Sequence, residues 1–242
     1  ADLYQIEAKT IPLLDDFSID YTQYLNPGCM IVLANPNAQV GQTLSLDKIE
    51  QIVASNPDHV VLVDEAYVDF GADSAVGLTK KYPNLLVVQT FSKSRSLAGA
   101  RLGFAIGDAG LIEDLNRLKY ATNPYNVNRL TMAAGIAALE AEEYYRENCR
   151  KIQQAREYTA QGLKNLGFRV IPSMANFLFA SHPGIDGEVL YIELKKRAIL
   201  VRHFSSPRIS QFNRITIGTM DQMEFLLKTI NEILGGIGNE TK

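Results

Sequence analysis

His59-Val60-Val61-Leu62-Val63-Asp64-Glu65 decides the fold. Four aliphatic residues follow one another with no polar residue between them, and the run stops on two carboxylates. Three further runs share the pattern. Met30-Ile31-Val32-Leu33-Ala34 ends at Asn35-Pro36-Asn37, and Leu85-Leu86-Val87-Val88 continues through Gln89-Thr90-Phe91 to Ser92. Leu102-Gly103-Phe104-Ala105-Ile106 ends at Gly107-Asp108. Short continuous apolar runs closed by turn residues predict strands covered on both faces, as in an α/β sheet. Between the first two runs, Leu46, Ile49, Ile52 and Val53 form one apolar stripe behind Ser45, a candidate N-cap. This predicts a strand–helix–strand unit. Tyr4–Pro12 also reads as strand-like, so the chain looks like one cut inside a domain.

Further along, a broken helical region is expected from about Val127 to Leu166, with Gly167 as its C-cap. Asn123, Tyr125 and Asn128 lie in a polar loop before it. The pattern then changes. Phe168–Ile171, Asn176–Ala180, Ile199–Arg202 and Arg214–Ile217 read as strands, with helices near Gly187–Arg197 and Met220–Leu234. The expected architecture is a mostly parallel α/β large domain, residues 1–145, followed by a smaller C-terminal α+β domain, residues 146–242. The Gly-rich tail from Gly235 is expected to fray.

The 242 residues, 46% hydrophobic and 21% charged, suit a globular chain with one large and one small domain. A net charge of −3 gives no reason to expect nucleic acid or an anionic membrane as partner. No apolar run is long enough to span a bilayer, and cytoplasm is the default location. Cys29 and Cys149 form no zinc pattern and read as buried free thiols. His59, His182 and His203 lie on no metal-ligand spacing.

In open α/β sheets, ligands collect beyond the carboxyl ends of the strands. Three runs end there in polar groups: Asn35 and Asn37, Asp64 with Tyr67, and Ser92-Lys93. A lysine just after a buried strand, with Arg95 and Arg101 nearby to depress its pKa, suits amine chemistry. Alone, it reads better as a surface lysine in a loop. Asp64 closes a very hydrophobic run and needs a cation or a donor. A protonated pyridine nitrogen is one such donor, and the alternative is a cap on the following turn. A magnesium role of the Walker-B kind lacks its partner, since no GxxxxGK[ST] loop occurs in the chain. Ser92 and Arg101 form a candidate phosphate cup, with a surface ion pair as the alternative for Arg101.

With these residues in order, the chain resembles the class II aminotransferases of the fold-type-I pyridoxal-phosphate group. Asp64-Glu65-Ala66-Tyr67, the run from Ser92-Lys93 to Arg101-Leu102-Gly103, and Arg214-Ile215-Thr216-Ile217-Gly218 carry the likeness. It is closest to the histidinol-phosphate aminotransferases. The resemblance implies transamination between histidinol phosphate and 2-oxoglutarate, giving imidazole-acetol phosphate and glutamate, with pyridoxal 5′-phosphate as cofactor. It further implies a homodimer and no metal. Lys93 would be the covalent anchor and proton carrier, Asp64 the partner of the pyridinium nitrogen, and Tyr67 that of the phenolic oxygen. Ser92 and Arg101 would bind the cofactor phosphate, and Arg202 with Arg214 the substrate phosphate, Arg214 also suiting a carboxylate. Threonine-phosphate decarboxylases and aromatic aminotransferases share the lysine and the aspartate and remain alternatives.

Two departures stand out. The family's Asn-Pro-Asn-(Asn or Ala)-Pro-Thr-Gly reads here as Asn35-Pro36-Asn37-Ala38-Gln39-Val40-Gly41. Ala38 replaces an asparagine that often contacts the cofactor, and Asn37 is the candidate substitute. The chain is also short. The expected large domain is incomplete, lacking a Gly-rich phosphate turn, two strands and an N-terminal arm. A truncated, catalytically inert fragment is therefore a further alternative.

Overall fold

The computed structural model describes residues 2–240. The four leading runs are strands β1 (Ile31–Ala34), β2 (Val61–Asp64), β3 (Leu85–Thr90) and β4 (Gly103–Gly107). They lie side by side in chain order, β1, β2 and β3 parallel and β4 antiparallel. Helix α1 (Leu46–Ser55) is the connection between β1 and β2. It buries Ile49, Ile52 and Val53 against Ile31, Leu33, Val61, Val63, Leu85 and Val87. Ser45 has the extended backbone of an N-cap but makes no side-chain cap bond.

Cover on both faces does not hold. Residues pointing away from α1 stay open at the β1 edge, where Met30 is 54% and Val32 64% exposed. No described element packs over that edge, so its apolar side chains meet solvent. Tyr4–Pro12 forms no strand either. It pairs with no strand edge, and an extended segment gains nothing without a ladder partner.

Helix α2 (Ala109–Thr122) was not among the expected elements. Asp108 caps it by accepting from the Gly110 N–H at 2.8 Å, yet none of its residues is buried. The expected broken helix is α3 (Arg129–Glu140) and α4 (Glu142–Asn165), parted at Ala141 and ended before Gly167 at φ 86°. Asn128 caps α3 through the Thr131 N–H at 2.9 Å.

A second sheet follows: β5 (Arg169–Ile171), β6 (Phe177–Ser181), β7 (Arg202–His203) and β8 (Phe212–Thr216), ordered β5-β6-β8-β7. Each of its pairs is antiparallel. Helices α4, α5 (Gly187–Lys196) and α6 (Met220–Glu240) enclose its core, which includes Leu163, Leu178, Leu190, Leu194, Ile215 and Ile230. Strand β7 starts later than expected. The Ile199 N–H still donates to Leu194 and Ala198 sits at φ 59°, so the end of α5 retains this segment. The tail from Gly235 continues α6 as far as Glu240, and the last two residues lie outside the described residues. Cys149 is buried, whereas Cys29 is exposed.

The two sheets are tied by side chains anchored on backbone. Arg156 of α4 is 6% exposed. Its Nη1 donates to the carbonyls of Phe70 and Ala175, each at 2.8 Å. Nearby, the Met174 N–H donates to the Gly41 carbonyl at 2.8 Å. Gly41 holds φ 83°, and a Cβ there would fall 2.1 Å from Ser173 Oγ, so only glycine fits. Arg156→Met removes a charged donor from two buried acceptors and is expected to cost about 3 kcal/mol. Urea unfolding midpoints measure it, and a loss below about 1 kcal/mol would count against the tie.

Candidate active site

Register puts the key carboxylate on the open face. Asp64 pairs across to Ala34 and Val88, and shares its side of the sheet with Val32 and Leu62. Its neighbour Glu65 points the other way and is buried at 1% exposure. Two adjacent acids thus part company at the strand end. Asp64 Oδ1 accepts from the Ala66 N–H at 2.9 Å, the turn-capping contact, which leaves Oδ2 for a donor from outside.

A cavity of about 340 Å³ opens there, within the range of small-ligand sites. Asp64, Thr90, Ser92, Lys93 and Arg101 line it. Lys93 is exposed. Ser92 is fixed by its N–H donating to Thr90 Oγ1 at 3.0 Å, and Arg101 sits at φ 54° with Nη1 on the Ala98 carbonyl. Arg95 does not join them. Its guanidinium lies 4.0 Å from the centre of the Tyr145 ring and donates to the Ala138 carbonyl. Of the two arginines expected beside Lys93, only Arg101 shares its cavity.

Tyr67 does not line that cavity but touches it through Lys93, whose Nζ stands 5.2 Å from the Tyr67 ring centre. From Tyr67 a ladder of alternating rings and cations crosses to the second sheet. Phe177 meets Tyr67 edge-on at 5.3 Å. Arg214 lies 4.9 Å from the Phe177 ring and 5.8 Å from that of Phe204, and Arg202 lies 5.5 Å from Phe204. Such contacts place cations without neutralising them. Arg202 and Arg214 are also direct cross-strand partners. Arg214 Nη1 donates to the Ala38 carbonyl at 2.8 Å, fastening β8 to the loop after β1.

Asn37 is occupied differently from its expected role. Its Oδ1 accepts from the N–H groups of Gln39 and Val40, at 2.9 and 3.1 Å, within its own turn. The cavity holding Lys93 does not include it. His203 follows Arg202 on β7 and so faces the opposite way, towards Tyr191 at 6.0 Å.

Glu65 was not singled out in the sequence. Its carboxylate accepts from Ser74 Oγ at 2.7 Å, the Ala75 N–H at 2.6 Å and Gln89 Nε2 at 2.8 Å. Burial nonetheless pushes its pKa above the ordinary value, against the lowering effect of those three donors. A raised folded pKa means the protonated form is the one favoured by folding. That contribution is present below about pH 4.5, the unfolded glutamate value, and is lost as pH rises through the folded pKa. Thermal melts of the wild type and Glu65→Gln should therefore show the wild type losing ground to the variant as pH rises above about 4.5. A difference that runs the other way, or stays flat, would contradict the burial effect.

Comparison with known proteins gives the family and the fold. Residues 1–230 match the family "Aminotransferase class I and II". The chain belongs to the class I and II aminotransferases. A histidinol-phosphate aminotransferase of Brachyspira hyodysenteriae is 49% identical over 97% of this chain and 66% of the relative. One of a Marinomonas species is 53% identical over 95% of this chain and 67% of its own length. The chain thus spans about two thirds of the length of the curated relatives it matches. The fold is shared with a Sinorhizobium meliloti histidinol-phosphate aminotransferase solved with pyridoxal-5′-phosphate. That likeness has a TM-score of 0.83 at 23% identity and covers 95% of this chain and 64% of that one. Among the described residues no helix is long and apolar enough to cross a membrane.

Proposed function

We propose that this aminotransferase transfers an amino group between histidinol phosphate and 2-oxoglutarate with pyridoxal 5′-phosphate as cofactor. The observation that carries the reading is the ladder joining Lys93 to the facing pair Arg202 and Arg214. Relatives of that name at about 50% identity support it.

The donor set fits the cofactor. Lys93 Nζ would anchor it, Asp64 Oδ2 would accept from the pyridinium nitrogen, and the Tyr67 hydroxyl would hold the phenolic oxygen. Ser92 and Arg101 would take the phosphate, the guanidinium through paired hydrogen bonds. When bound, the cofactor supplies an electron sink for charge developing at the substrate's α-carbon. The protein does the rest. Lys93 Nζ takes the proton from that carbon and returns one. Arg202 and Arg214 are like charges directly across a strand pair, an arrangement that costs stability unless an anion is shared between them. A phosphate dianion fits that need, and Arg214 equally suits the carboxylate of glutamate.

In this reading the cofactor-binding unit is residues 1–145 and the smaller unit residues 146–242, meeting in α4. The protein is cytoplasmic and works as a homodimer. The test is to add pyridoxal 5′-phosphate, record the visible absorption, and locate the borohydride-fixed adduct by peptide mass. The adduct is expected on the peptide containing Lys93. The loaded protein is then assayed with histidinol phosphate, threonine phosphate and phenylalanine. Turnover of histidinol phosphate with 2-oxoglutarate supports the proposal. Turnover of only the other two favours a decarboxylase or an aromatic aminotransferase, and no cofactor binding at all favours an inert fragment.

A further inference from the structure

The lysine loop is tethered from behind by a carboxylate that the proposed chemistry does not use. Asp69 lies in a 3-10 turn, Val68–Phe70, which begins immediately after Tyr67. Its Oδ2 accepts from Ser94 Oγ at 2.5 Å, and Ser94, the residue after Lys93, is 7% exposed. Backbone bonds close the ends of the loop, from Ser96 N–H to the Lys93 carbonyl and from Leu97 N–H to that of Phe91. The Ser94–Asp69 bond links its middle to another element.

Tyr145 of α4 stands behind Asp69. Burial first, and then the Asp69 carboxylate, push its phenol well above the ordinary value. Arg95 closes the group by lying over the Tyr145 ring. These side chains form one wall of a separate cavity of about 600 Å³, and Lys93 is not among its lining residues. The cluster therefore acts on the loop from outside the cofactor's cavity.

Lys93 is exposed and carries a long stem with many rotamers, so its reach depends on where its backbone is held. We propose that Asp69, through Ser94, is a positioning residue that fixes the Lys93 backbone so that Nζ meets the cofactor aldehyde. The inference rests on the cofactor reading given above. In the linking step the aldehyde carbon bonds to Lys93 Nζ, the carbon–oxygen double bond is replaced by a carbon–nitrogen one, and water leaves. Pyridoxamine phosphate has no aldehyde and cannot make this link. Its retention depends on the remaining contacts alone.

The two cofactor forms therefore separate positioning from general damage. Binding of each is measured by fluorescence titration on the wild type, Asp69→Ala and Ser94→Ala, alongside thermal melts. Both variants are expected to lose about tenfold or more in affinity for pyridoxal phosphate while pyridoxamine phosphate binds as in the wild type. Ser94→Ala deletes one hydroxyl and decides the matter should Asp69→Ala not fold. Equal losses for both forms, or no loss for either, overturn the inference. A wild type that retains neither form removes the parent reading and this one with it, whereas a wild type that binds both isolates the tether.

Discussion

Lys93→Ala is expected to lower kcat for histidinol phosphate by at least about 10⁴-fold, the upper range for a positioned proton carrier. No other group lining the cavity that Lys93 shares with Asp64 can take over. Arg101 offers only donors and no acceptor. One oxygen of Asp64 is held by the Ala66 N–H, and the carboxylate is otherwise assigned to a donor on the cofactor ring. Ser92 and Thr90 are bonded to each other through backbone and hydroxyl, and neither is a base at neutral pH. Lys93→Arg should be as inactive as alanine although it keeps the charge, because guanidinium neither forms the link nor gives up its proton. Steady-state rates with saturating cofactor measure both. Activity within about a hundredfold of wild type in either variant would remove Lys93 from the chemistry.

Arg214→Ala is the second large effect, a fall in kcat/KM for histidinol phosphate of about 10²–10³-fold. It removes one of two cations set across the β7–β8 pair, and with it the hydrogen bond to the Ala38 carbonyl. Arg202→Ala separates binding from folding. Without substrate it relieves a like-charge pair, so the melting temperature should rise by about 1–2 °C while the substrate KM worsens. Melts with and without added phosphate, run beside the kinetics, check both signs. A lower melting temperature for Arg202→Ala in the absence of phosphate would mean that the two arginines do not oppose each other.

Most of the first sheet was legible because its strands are short aliphatic runs closed by turn residues. Ile31–Ala34, Val61–Asp64 and Leu85–Thr90 fall where composition alone put them. What sits on each face was not legible. Val32 is as aliphatic as Leu33, yet one is exposed and the other buried, since burial depends on what packs over the sheet. Helix α2 escaped for a related reason. Leu111, Leu115 and Leu118 do stand at helical spacing, but nothing in the chain buries them, and the Asp108 cap marks its start. Within the site, Asp64, Ser92, Lys93 and Arg101 share one cavity as their order along the chain suggested. Asn37 does not, because a short amide side chain readily satisfies its own turn first. Glu65, Asp69 and Arg156 went unread since each acts on partners at least nine residues away, which spacing does not reveal.

The bond from Arg214 to position 38 has an evolutionary consequence. Its acceptor is a main-chain oxygen, which every residue type carries. Drift at position 38 can therefore exchange one side chain for another without untying the strand that carries Arg214. A link of this kind is inherited with the path of the chain rather than with the identity of a residue, and an alanine serves it as well as an asparagine would.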